Sequence, residues 1–95
     1  MNDLLKRQLL IMQGLIEDHR AGRLALDTLI QRIEGVSNFV EIESWKDRIF
    51  PIILTLEQIN AAVLNAKTTL SEVQRADVAR ALDDLEGLIQ HAQKH

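Results

Sequence analysis

The 95-residue chain has no cysteine and no tyrosine, a single proline, and only one tryptophan and two phenylalanines. Without cysteine there is no disulfide to staple a small core, no thiolate metal site and no thiol nucleophile. Four scattered glycines and one proline leave no Gly/Ser linker, low-complexity tract or internal repeat, so residues 1–95 read as a single helical domain. The apolar run Leu9 to Met12 is far too short for a secretory core or a membrane span, and Asp3 precedes the basic pair Lys6 and Arg7. A cytoplasmic protein with no membrane association is expected.

Catalytic signatures are missing as well. No motif supplies a nucleophile, an acid/base pair, a cofactor cradle or a metal centre. His91 and His95 stand at i, i+4 near the carboxyl end, but two imidazoles at a terminus make a weak metal site. No Glu-x-x-His occurs to build a carboxylate-bridged dimetal site between helices. The expectation is a protein that is not an enzyme and that carries no cofactor and no metal.

What the chain does have is amphipathic periodicity over a composition that is 46% hydrophobic and 26% charged. Leu5, Leu9, Met12, Ile16 and His19 share one side of a helix predicted over Asp3 to Arg20, with Gly22 as its C-cap. Leu26, Leu29, Ile30 and Ile33 predict a short second helix that Gly35 ends near Glu34. Val36 to Ile42 is expected to be a loop or distorted turn laying Phe39 on the core. Ser44 and Asp47 resemble a capping box, so a third helix starts at Trp45. Its seam is Trp45, Ile49, Ile52, Leu56, Ile59 and Val63, with Phe50, Ile53 and Leu54 widening the buried face. Pro51 falls inside it, where the ring strikes the Asp47 carbonyl and a kink is expected. Ser71 and Gln74 form a second capping box, opening a fourth helix whose inward residues are Val78, Leu82, Leu85 and Ile89. The fold class is all-α, a small four-helix bundle with its third helix kinked near Pro51.

Charge is unevenly placed. The chain carries −3 overall, which disfavours a nucleic-acid partner because phosphate affinity needs clustered Lys and Arg. Residues 27 to 57 alone carry −3, in the same third as all the aromatics. Glu34, Glu41, Glu43 and Asp47 sit at helix ends and in the linker, where loops on a rigid scaffold gather binding residues. Trp45 beside them fills a core edge or anchors a partner. Glu34, Glu41, Glu43, Trp45 and Asp47 are therefore the expected partner-binding residues.

The segments GRLALDTLIQRIEGV, SWKDRIFPIILTLEQINAAVL and LSEVQRADVARALDDLEGLI, in a small acidic helical chain, resemble the helical immunity proteins of bacterial toxin systems. These include the partners of contact-dependent growth inhibition toxins and of nuclease colicins. The resemblance is one of layout over most of the chain and carries no functional residue across. It implies a non-catalytic inhibitor that binds a cognate toxin nuclease stoichiometrically and is a monomer when free. The alternative is a self-associating structural or regulatory helical module.

Overall fold

Four α-helices account for most of the chain: α1 (Asp3–Arg20), α2 (Leu26–Ser37), α3 (Trp45–Ala66) and α4 (Glu72–Gln93). The computed structural model describes residues 3 to 94, and no strand occurs among them. α1 packs on α2, α2 on α3, α3 on α4 and α4 back on α1, while α1 and α3 are not neighbours in this cycle. The core threads through this cycle, with Leu9, Met12, Ile16, Leu29, Ile33, Leu56, Leu82, Leu85 and Ile89 as its most enclosed side chains beside Trp45.

Helix ends follow local chemistry. α1 stops in a Schellman turn: Gly22 takes φ +81°, its N–H donates to the His19 carbonyl, and the Arg23 N–H donates to the Asp18 carbonyl. His19 closes the same turn from the side, its Nδ1–H donating to the Leu24 carbonyl at 2.8 Å. α4 opens with the expected capping box. The Ser71 hydroxyl accepts from the Gln74 N–H at 3.1 Å and the Gln74 side chain accepts from the Ser71 N–H at 2.9 Å. α3 ends in another Schellman turn, but its left-handed residue is Lys67, at φ 51°.

Two local expectations are corrected. α2 runs through Gly35 to Ser37, because one glycine inside a buried amphipathic helix costs only about 1 kcal/mol and Ile33 and Ser37 both face inward. The Ser44–Asp47 box does not form: Ser44 adopts φ 68°, and its side chain makes no cap bond. α3 continues through Pro51 to Ala66, as its apolar spacing predicts, and the Thr55 hydroxyl donates to the Pro51 carbonyl at 3.0 Å.

The aromatics change places as well. Phe39 and Phe50 were expected in the core but are 69% and 63% exposed, whereas Trp45 is 2% exposed. The extra turn of α2 carries Phe39 past the core, and Val40 takes the inward place. Phe50 follows Ile49 by one residue, about 100° around the helix, which turns it out of the core to the edge of the α2–α3 groove. Inside, the Trp45 indole N–H donates to the Ser37 hydroxyl at 2.8 Å, joining the end of α2 to the start of α3.

Two outcomes follow from this packing. Ser37→Ala leaves the indole N–H unpaired in the core and should cost about 1–2 kcal/mol in urea unfolding followed by Trp45 fluorescence. Lys67→Gly relieves a side chain from the left-handed region and should add up to about 1 kcal/mol in the same assay.

Candidate partner-binding surface

The five expected contact residues do not form one rim. Glu43 and Trp45 line a half-open cleft of about 340 Å³ between the start of α3 and the ends of α1 and α4, with Leu5, Arg48 and Leu88. Glu43 and Arg48 bring opposite charges to this cleft, so its walls carry little net sign. Glu34 lies elsewhere, in the groove between α2 and α3. Glu41 and Asp47 are exposed and line neither. Trp45 contributes little area to that cleft, since its ring is enclosed and its N–H donates to Ser37.

The α2–α3 groove is the more distinctive surface. One end, about 260 Å³, is lined by Glu34, Glu57, Lys46, Phe50, Ile53 and Leu54. The other, about 330 Å³, shares Glu34 and Glu57 and adds Asp27, Asn60, Ala61 and Leu64. Two carboxyls from adjacent helices thus meet where the two halves join. The Glu34 carboxyl hydrogen-bonds to Glu57, and that bond, partial burial and the repulsion of a second negative charge push Glu34 up to about 7. Near neutral pH Glu34 is therefore only partly ionised. Exposed apolar side chains flank it, with Phe50 63%, Leu54 39% and Leu64 64% accessible.

Glu57 and its apolar neighbours were missed at the level of sequence, although a signal was present. Phe50, Leu54, Glu57, Ala61 and Leu64 step by four, three, four and three, a second stripe beside the buried seam with an acid at its centre. A glutamate between large apolar residues at that spacing marks a face that is apolar without being core.

The polar face of α4 is structural. Arg20 of α1 reaches Asp83 at 2.7 Å and Glu86 at 2.9 Å, and the Gln13 amide donates to Glu86 at 2.7 Å. The Gln13 amide first, and the Arg20 guanidinium second, hold the Glu86 carboxyl below its ordinary value. Asp77 and Arg80 pair loosely at 3.7 Å in solvent, as a solvated helix face does. No group of three or more metal-ligating side chains occurs among the described residues.

Compared with known proteins, the chain matches no family model, no curated protein and no solved structure. The surface must therefore be read from its own chemistry.

The carboxyl pair sets a pH dependence. Between the ordinary value of 4.5 and about 7 the folded chain keeps a proton on Glu34 that the unfolded chain has lost. This group's contribution to stability is therefore complete below 4.5 and declines as pH rises through about 7. Water at the exposed Glu57 screens the repulsion, and Lys46 and Asp27 on the groove walls act in opposite directions. A decline of ~1 kcal/mol is expected between acid and mildly alkaline pH. Glu34→Gln should remove it, matching the parent chain in acid and exceeding it above pH 7, as read by urea midpoints across the range.

Proposed function

We propose that the chain is a stoichiometric protein-binding inhibitor of the immunity kind, which neutralises a cognate toxin nuclease by covering its cationic surface. The observation that supports this most directly is the α2–α3 groove, where Asp27, Glu34 and Glu57 lie among exposed Phe50, Leu54 and Leu64. A nuclease presents Lys and Arg to phosphate, and an acidic surface with apolar anchors can both steer its approach and hold it. Glu41, Glu43 and Asp47, exposed around the start of α3, extend the negative field that guides the encounter. The reading requires a rigid scaffold in the cytoplasm and no catalysis, cofactor, nucleic acid or membrane.

The architecture belongs to the same reading. The closed cycle of helix contacts supports a four-helix bundle, a scaffold stiff enough to keep a surface in place. A kink of α3 at Pro51 belongs to this reading too, since the missing N–H and the pressure of the ring on the Asp47 carbonyl favour an opening of the helix beside Phe50. The second reading, a self-associating module, is favoured by exposed apolar side chains on both α1 and α3.

Co-expression tests the first reading. The carboxyl-terminal part of the reading frame immediately upstream in the native genome is produced with and without this chain. Growth arrest relieved by the chain is the expected result. Protection should be lost with E34R/E57R while helical content is unchanged, and weakened by E41K/E43K. An upstream fragment that is harmless, or that kills regardless of the chain, removes the neighbouring-toxin reading.

A further inference from the structure

α3 is long and apolar enough, by length and composition, to cross a membrane, with a mean hydropathy of 1.4 over an 18-residue stretch. Yet only Trp45, Ile49 and Leu56 of its side chains are fully buried. Much of its apolar surface lies outside the core, on the stripe that runs from Phe50 through Glu57 to Leu64. A second uncovered stripe lies on α1, where Leu4, Leu10 and Ile11 are 63%, 53% and 51% exposed beside exposed Lys6 and Arg7. Among the described residues neither Lys6 nor Arg7 has an ion-pair partner.

The two stripes match in spacing and oppose in charge. On α1, Arg7 is bracketed by Leu4 three residues before and Ile11 four residues after. On α3, Glu57 is bracketed by Leu54 three residues before and Ala61 four residues after. Each is one charge set between apolar neighbours on a single helix face. α1 and α3 are not neighbouring helices within one chain, and both stripes remain exposed there.

We propose that α1 of one copy docks on the α3 face of another, Arg7 meeting Glu57 while Leu4 and Ile11 pack against Leu54 and Ala61. The occupant of the groove in the free protein is thus a second copy of this chain. This departs from the monomer expected from the sequence and is independent of the toxin reading. A toxin segment that resembled α1, basic at its centre and apolar on both sides, would compete for the same face. The contact joins unlike surfaces, so each added copy brings another free stripe, and assembly continues with concentration unless a ring closes. One helix lying on one helix is a small interface, and the association is accordingly weak. Glu34 and Asp27 beside Glu57 set this face against an anionic lipid surface, which attracts basic stripes instead.

Sedimentation velocity on the purified full chain decides the matter. The weight-average mass should rise with concentration from the 10.8 kDa of one chain to at least double, and fall back in high salt. R7E and E57R, both at exposed positions, should each stay monomeric with unchanged helical content. An equimolar mixture of the two should associate again, because each then offers the charge the other lacks. A parent chain that stays monomeric at every concentration overturns the proposal, as does association that survives both reversals. Flotation with phosphatidylcholine vesicles in place of self-association also overturns it, since a bilayer would then be what covers α3.

Discussion

The hydrogen bond from the Trp45 indole to the Ser37 hydroxyl is the constraint on which the arrangement of surfaces depends. It joins the end of α2 to the start of α3 inside the core, and it leaves both polar groups satisfied. Holding the ring inward fixes the rotation of α3 about its axis. With Trp45 inside, Ile49 and Leu56 follow at helical spacing, and Phe50, Leu54, Glu57 and Leu64 are turned out. Ser44, just before the ring, sits in the left-handed region at φ 68°. That conformation costs a non-glycine residue roughly 1–2 kcal/mol, which burial of a tryptophan can offset.

The cycle of helices has a satisfied side and an unsatisfied one. Between α1 and α4, Arg20, Gln13, Asp83 and Glu86 complete one another across the interface. Between α2 and α3, Glu34 and Glu57 face each other with no ion pair to either among the described residues, and large apolar side chains remain in water. Once both carboxyls are ionised, like charges in one groove lower stability. A surface that is costly to leave open is one that a partner can improve. Apolar contacts and a cation would act together there, the first lowering the dielectric around the second.

Helix existence was legible because each segment carries its own periodicity and, at α1 and α4, its own stop or start chemistry. Helix ends that depend on burial were less legible. Gly35 looks like a terminator, yet the inward Ser37 needs α2 to continue so that its hydroxyl can meet Trp45. The Ser44–Asp47 spacing looks like a cap, yet the turn into α3 is set by where the ring must go. Of the five residues expected at the contact surface, Glu34 alone lines the α2–α3 groove, because linear proximity to other acids did not specify which wall each would reach.

By itself the sequence determined an all-α chain, four amphipathic segments, most of the core and a central excess of negative charge. Those properties follow from side-chain order at intervals of three and four, which a chain carries before it folds. The tertiary structure decided which apolar stripe of α3 is core and which is surface, that Glu34 meets Glu57, and that Arg20 belongs to α4. Each of these depends on the relative rotation of two helices. That rotation is set by packing between residues far apart in the chain, about which local spacing is silent.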